Sequence, residues 1–174
     1  MRHNVAPLYG SSGTTFALSA LPEGAAGVRE TLRRMSILTR EGVKNPVIFM
    51  RARALVRGLK SKDYVGEAKA VHAFVRDKIR YVRDPRGVET LHTPEKLLEL
   101  AQGDCDDKSI LAATLLESLG HPTRFIAVGF DPDHYCHVYV ETRIGAKWIP
   151  IETTEPWEFG RPHPKPVTKM IHHN

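Results

Sequence analysis

The stretch that decides the fold is GDCDDKS, residues 103–109, which places one of the two cysteines of the chain among three aspartates. A long apolar run follows it, and its residues share one face of a helix: Ile110, Leu111, Thr114, Leu115 and Leu119. Gly120 and then Pro122 end this pattern. The sequence therefore predicts a helix that begins near Cys105.

A cysteine in the first turn of a helix lies near unpaired backbone amides and the positive end of the helix dipole, which favours the thiolate. Asp104 is a candidate cap for this helix, and Asp106 and Asp107 fall in its first turn, where acids are favoured. Carboxylates next to a thiol also oppose its ionisation through like-charge repulsion. If Cys105 is a nucleophile, a base must complete its activation.

Length and composition predict a single soluble domain with appendages. The chain has 174 residues, of which 41% are hydrophobic and 26% charged. No apolar run approaches the roughly 20 residues that span a bilayer, and residues 16–21 are too short for a signal-peptide core. We therefore expect a cytoplasmic protein, with both cysteines as reduced thiols.

Two terminal segments are predicted to lie outside the domain, which we place at residues 25–160. Residues 1–24 are rich in Gly, Ser, Thr, Ala and Pro and lack helical periodicity, which indicates an extended arm. Residues 161–174 begin with three closely spaced prolines, which prevent regular structure there and indicate a second tail.

Three more helices are predicted ahead of Cys105. The first follows the cap-plus-proline pair Asn45-Pro46, and the second follows Asp63 and stops before Asp84-Pro85. The third opens at Thr93-Pro94 and ends at Leu100.

After the helix of Cys105 the pattern changes to short runs rich in Val, Ile, Tyr and Phe. These runs predict strands at residues 124–130, 137–142 and 147–152. Helices followed by antiparallel strands are typical of an α+β domain.

Nine histidines are candidates for the base: His3, His72, His92, His121, His134, His137, His163, His172 and His173. Four of them lie in the predicted arm and tail, and we discount these. We expect a satisfied core or boundary role for His72, while His92 and His121 flank helix ends. His134 and His137 remain, and His137 is preferred because it begins a predicted strand.

The segment from His137 to Glu152 predicts a hairpin whose register decides whether these two residues meet. A turn at Ile144-Gly145, or one spanning residues 143–146, places His137 opposite Glu152. A turn at Gly145-Ala146 leaves them as diagonal neighbours on one face, whereas a three-residue loop separates them. In either register that keeps the two residues on one face, the carboxylate orients the imidazole. With Cys105 the set is then a nucleophile, a base and an orienting acid. We then expect the sulfur within about 4 Å of a His137 nitrogen.

The run from Ala68 to Glu152 resembles the transglutaminase-like superfamily of papain-like cysteine enzymes. The motifs that carry the resemblance occur in order: AVHAFVRDKIRYVRDP, GDCDDKSILAATLLESLGHPTRFIAVGF, HVYVE and WIPIETT. GDCDDKS, with TPEKLL upstream, looks most like the small versions carried by tailed bacteriophages and prophages. The resemblance implies a papain-like core in which the helix of the nucleophile packs on an antiparallel sheet.

The resemblance also implies roles for individual residues. Cys105 matches the nucleophile, His137 the base and Glu152 the acid, a position where the family usually has aspartate. Gln102 is a candidate oxyanion-hole donor, and Asp104 a candidate site-supporting residue. The implied chemistry is acyl transfer on an amide or peptide bond: a thioester forms on the cysteine, and water or a lysine amine then takes the acyl group. No cofactor or metal is implied.

Metal binding is a weaker alternative. The stretch DPDHYCH, residues 131–137, concentrates possible ligands, but Cys136 and His137 are adjacent in a strand and point to opposite faces. We therefore interpret Cys136 as a residue of the sheet core. DCDD lacks the glycine and the terminal glutamate of a calcium loop.

A second function class is a virion structural or assembly protein that uses the enzyme fold as a docking module. Between Arg29 and Lys62 there are ten basic residues against two acidic ones. This excess, like the two terminal segments, suits a protein that binds neighbours, including other phage structural proteins. Nucleic acid is a less favoured partner, because no aromatic residues interleave the charges. A protein or peptide substrate is the partner that the enzyme reading requires.

Overall fold

A computed structural model of the chain describes residues 16–17, 24–84, 90–132 and 134–174. The helices are α1 (Gly24–Val43), α2 (Pro46–Leu55), α3 (Tyr64–Lys78), α4 (Pro94–Leu100) and α5 (Cys105–Ser118). The strands are β1 (Phe16–Ala17), β2 (Arg80–Tyr81), β3 (Thr90–Leu91), β4 (Gln102–Gly103), β5 (Thr123–Gly129), β6 (His137–Ile144), β7 (Lys147–Ile151) and β8 (Thr168–His173). No described helix is both long and apolar enough to cross a membrane.

The architecture is a cluster of helices packed on an antiparallel sheet, which confirms the predicted α+β class. The sheet has the order β7-β6-β5-β8. Helix α5 lies at the centre, where it contacts the other four helices and strands β5 and β6. Eleven of its fourteen residues are buried, because helices surround one side of it and the sheet covers the other. This position holds Cys105 at one end of a rigid core element.

The predicted helix starts are confirmed by their caps. The side chains of Asn45, Asp63 and Thr93 each accept a hydrogen bond from a backbone N–H, at 2.9, 2.9 and 3.4 Å. A proline occupies the first turn after Asn45 and after Thr93, where its missing N–H costs nothing. Helix α1, which precedes these helices, was not predicted.

The hairpin of β6 and β7 adopts the second of the two predicted registers that keep His137 and Glu152 on one face, so the two residues are not directly opposite each other. Ile144 pairs with Lys147, which makes Gly145-Ala146 the turn. Gly145 has a φ of 60°. A two-residue hairpin turn needs a positive φ at its first central position, and glycine adopts it far more readily than the β-branched Ile144 would. His137 and Glu152 are consequently diagonal neighbours.

The prediction of a C-terminal tail at residues 161–174 is also wrong. Residues 161–167 lack regular structure, as the prolines require, but the chain then re-enters the sheet. Strand β8 pairs antiparallel with β5, from Arg124 opposite His173 to Gly129 opposite Thr168. Its residues alternate between half-buried and exposed, as an edge strand allows. The predicted arm at residues 1–24 falls mostly outside the described residues.

Candidate active site

A cavity of about 310 Å³ lies between the first half of α1 and the junction of α5 with β6. Cys105 and His137 both line it, together with the carboxylates of Asp104 and Asp106. A hydrogen bond from Ser109 Oγ to the carbonyl of Val138, at 3.3 Å, joins α5 to β6 below this cavity. Helix and strand therefore present the cysteine and the histidine to one space.

Cys105 is half-buried in the cavity wall, and its surroundings favour the neutral thiol over the thiolate. Burial raises the pKa of the Cys105 thiol well above its usual value, and the charges of Asp106 and Asp104 raise it further. A backbone hydrogen bond with Val138 acts in the opposite direction but does not offset these effects. The thiol donates to Asp106 Oδ1 at 3.5 Å. The helix start alone does not produce a thiolate here.

Asp104 caps α5, as predicted. Its Oδ1 accepts from the amides of Asp106 and Asp107, at 3.0 and 3.2 Å. Burial, the charge of Asp107 and the charge of Asp84 raise the pKa of Asp104 to about 7, and the two amide bonds oppose this shift. Among the described residues of this first turn, Cys105 is the one whose amide the side chain of Asp104 does not engage.

Replacing Asp104 with asparagine is expected to stabilise the protein at pH 8. The stability that the protonated Asp104 contributes is present below about pH 4 and is lost as the pH rises through about 7, because folding raises this pKa from 3.8. Asparagine keeps the cap without the buried charge. We expect a gain of about 1–2 kcal/mol at pH 8 that shrinks towards pH 5, measured by urea unfolding.

The matched control for this substitution is Asp63→Asn, at the more accessible cap of α3. Asparagine at position 104 should show a gain that depends on pH, and the control should not. A gain of the same size at pH 5 and pH 8 would contradict the role of the buried charge.

The structure joins His137 to Glu152, as the sequence predicted. His137 Nε2 donates to Glu152 Oε2 at 2.7 Å, and the side chains are only 15% and 2% exposed. The other oxygen, Oε1, accepts from the amide of Thr154 at 2.6 Å and from that of Glu155 at 3.3 Å. The carboxylate is thus held at both oxygens. This bond leaves His137 Nδ1 to accept a proton, and an approach of Cys105 Sγ to within about 4 Å stays a prediction.

Glu152 is ionised in spite of its burial. Burial by itself would raise the pKa of Glu152, but the hydrogen bonds from His137, from His163 and from the amide of Thr154 hold it well below its usual range. The ionised carboxylate accepts the Nε2 proton of His137 and so fixes the orientation of this ring.

His163 was not predicted as a site residue, because it falls in the segment that the prolines assign to a tail. His163 Nε2 lies 2.5 Å from the same oxygen of Glu152 that His137 contacts. A single histidine between prolines carries no local signal for this position, since the contact depends on how residues 161–167 fold back over β6.

His72, by contrast, has the core role that the sequence predicted. It is buried in α3, and its Nε2 lies 2.6 Å from the backbone oxygen of Glu152. This contact anchors the end of β7 to the helices.

The structure does not bring Gln102 into the cavity. Its Oε1 accepts from Arg80 Nη2 at 2.5 Å on the paired strands β2 and β4, and it is not part of the cavity lining. The interpretation of Cys136 as a sheet-core residue is wrong. Cys136 is exposed and lies at the cavity rim, just before β6 begins. Both cysteines are free thiols.

Within the described ranges, two groups of side chains have ligand atoms close enough to share a metal ion. They are His137 with Glu152 and His163, and Asp104 with Cys105 and Asp106. In the first group both imidazoles already bond to the carboxylate. The stretch at residues 131–137, of which residue 133 is not described, is not one of these groups. Its Asp131 instead accepts from the amide and Nδ1 of His134.

The family model of the Transglutaminase-like superfamily matches residues 51–153, more than half of the chain. The chain belongs to the transglutaminase-like superfamily. A sequence search against curated proteins finds no match. His163 and β8 lie beyond the matched residues.

Two solved structures are similar to this transglutaminase-like chain. A candidate cysteine protease from Cytophaga hutchinsonii is 17% identical, with a TM-score of 0.49 over 63% of this chain and 37% of that protein. A candidate protease from Parabacteroides distasonis is 15% identical, with a TM-score of 0.56 over 71% of this chain and 26% of that protein. This chain therefore spans well under half the length of either protein. The second likeness supports the fold assignment.

Proposed function

We propose that this chain is a cysteine acyltransferase that cleaves or exchanges amide or peptide bonds through Cys105, His137 and Glu152. The observation that carries the proposal is the hydrogen bond between the buried Glu152 and His137, whose ring lines the same cavity as Cys105. A buried carboxylate that orients an imidazole beside a thiol at a helix start is the arrangement that nucleophilic acyl transfer requires.

In the proposed mechanism His137 acts first as a general base. Because the resting thiol is neutral, its proton passes to His137 Nδ1 as the sulfur attacks the carbonyl carbon and a C–S bond forms. Glu152 stabilises the resulting imidazolium. The unengaged amide of Cys105 is the candidate donor to the oxyanion, in place of Gln102.

Collapse of the tetrahedral intermediate breaks the C–N bond. The imidazolium gives its proton to the leaving amine, and a thioester remains on Cys105. His137 then deprotonates water or an incoming amine, which attacks the thioester and releases the thiol. Water gives hydrolysis and an amine gives a cross-link. The protease name of the structural neighbour from Parabacteroides distasonis favours hydrolysis of a peptide or protein substrate.

The test uses iodoacetamide, because its reaction with a thiol needs no knowledge of the substrate. In a Cys136→Ser background only Cys105 can be alkylated. We expect His137→Ala to lower the alkylation rate constant of Cys105 at pH 7 by about 100-fold, since general-base assistance is lost. The matched control, His134→Ala, removes an exposed histidine that bonds to Asp131 and should leave the rate unchanged.

Equal alkylation rates in the His137→Ala variant and the parent, both folded by circular dichroism, would contradict the proposal. If the rates differ, the enzyme is next incubated with glutamine peptides, with and without hydroxylamine. Formation of the peptide acid indicates hydrolysis, and formation of the hydroxamate indicates transfer to an amine.

Docking is the second candidate function, and the surface of α2 favours it. Val47, Phe49 and Met50 are 60%, 47% and 65% exposed, and Arg53 and Arg57 line a depression at the end of this helix. Exposed apolar groups among cations suit a partner that carries apolar and acidic groups. Slow alkylation that does not depend on His137 would support docking without catalysis. The bacteriophage origin, with a cytoplasmic or virion location, stays a prediction from the motifs.

A further inference from the structure

One oxygen of Glu152 serves two imidazoles. His137 Nε2 and His163 Nε2 lie 2.7 and 2.5 Å from the same Oε2. Because an ionised carboxylate only accepts hydrogen bonds, each ring carries its proton on Nε2. Glu152, the acid of the proposed triad, is therefore bonded to a second histidine. This second histidine is neither the nucleophile, the base nor the acid of the triad.

The bond to Glu152 is the main polar contact of the His163 side chain. Its side chain is 7% exposed. The ring stacks on Tyr139, with ring centroids 4.3 Å apart, and packs against Trp157 at 4.8 Å. Within the described part of the chain, its buried Nδ1 has no hydrogen-bond partner. Leaving a buried nitrogen unpaired is costly, and Phe or Leu would fill an aromatic slot without this cost. The bond to Glu152 is the contact that histidine supplies and that Phe or Leu could not.

We propose that His163 is a positioning residue for Glu152, an inference that rests on the function proposed above. The backbone amides of Thr154 and Glu155 hold Oε1, and His163 holds Oε2 in the direction of His137. Its N–H also helps to keep the buried carboxylate ionised, which the imidazolium of His137 needs. The segment from Trp157 to His163, beyond the residues that match the family, thereby completes the site.

The experiment measures Cys105 alkylation by iodoacetamide at pH 7 in the Cys136→Ser background, together with the thermal midpoint of each variant. His163→Leu removes the N–H donor and is expected to slow alkylation about tenfold, the value of one lost hydrogen bond to a charged group. His163→Gln places an amide N–H close to the position of Nε2 and should restore the rate to within about threefold of the parent. His172→Leu, in β8, is the matched control and should leave the rate unchanged.

The outcomes separate the inference from the function on which it rests. If His137→Ala slows alkylation but His163→Leu does not, the positioning role is overturned while the proposed function stands. If His163→Gln is as slow as His163→Leu, the effect is one of packing, and the proposal fails. If His137→Ala has no effect, the proposed function fails first.

Discussion

Replacing Glu152 with glutamine is expected to lower the rate of acyl transfer at Cys105 by about 10²–10³-fold. The carboxylate of Glu152 accepts four hydrogen bonds, two from backbone amides and two from imidazoles. Glutamine has one acceptor oxygen. If that oxygen serves the amides of residues 154 and 155, the NH₂ group faces His137 and His163, and both rings must accept at Nε2. His137 then carries its proton on Nδ1 and can no longer act as a base towards the thiol.

The measurement is the release of p-nitrophenol from p-nitrophenyl acetate, a simple acyl donor, in the Cys136→Ser background. Glu155→Gln is the matched control, because this exposed side chain is close in sequence but only its backbone contacts Glu152. The thermal midpoint of each variant distinguishes a tautomer effect from unfolding. A folded Glu152→Gln variant that retains more than a tenth of the parent rate would contradict the role of the carboxylate.

Replacing Lys108 with methionine is expected to destabilise the protein by about 2–4 kcal/mol. Lys108 is 2% exposed, yet its Nζ donates to the carbonyl of Ile79 at 2.7 Å and to that of Arg76 at 3.4 Å. These carbonyls lie at the C-terminal end of α3, where backbone oxygens have no hydrogen-bond partner within the helix. Methionine fills a similar volume but leaves both carbonyls buried without a donor. Lys147→Met, on the exposed hairpin, is the control for loss of a positive charge.

The pH dependence of the free energy of unfolding provides a second test of Lys108. Burial lowers the pKa of Lys108 from 10.5 to about 8, against the opposing charges of Glu152 and Asp77. The unfolded chain therefore binds this proton more tightly than the folded one, and the contribution of Lys108 to stability should rise between about pH 8 and pH 10.5. Urea unfolding should show this rise in the parent and not in Lys108→Met. A destabilisation below 1 kcal/mol at pH 7 would show that the two carbonyls find other partners.

Much of the fold could be predicted because its signals are local. The caps at Asn45, Asp63 and Thr93, with the apolar run after Cys105, mark helix starts within a few residues of chain. The hairpin face was also predictable, since side chains alternate with period two and the two favourable registers keep His137 and Glu152 on one side. The choice between these registers required the backbone preference of Gly145.

Strand β8 and His163 could not be predicted in the same way. The three prolines correctly predict that residues 161–167 lack regular structure. Local irregularity, however, does not indicate which strand the chain pairs with afterwards. The contact of His163 with Glu152 depends on the packing of its ring between Tyr139 and Trp157. Such contacts are set by the shape of the assembled core and leave no periodic pattern in sequence.

The sequence by itself determined the helix that presents Cys105, the α+β order of elements and the common face of His137 and Glu152, because capping, periodicity and alternation act between near neighbours. The tertiary structure alone decided the protonation of the site. The raised pKa of the Cys105 thiol, the ionised Glu152 and its second imidazole all arise from burial and from charges brought together by folding. Solvent exclusion is a property of the packed molecule, and no short stretch of sequence encodes it.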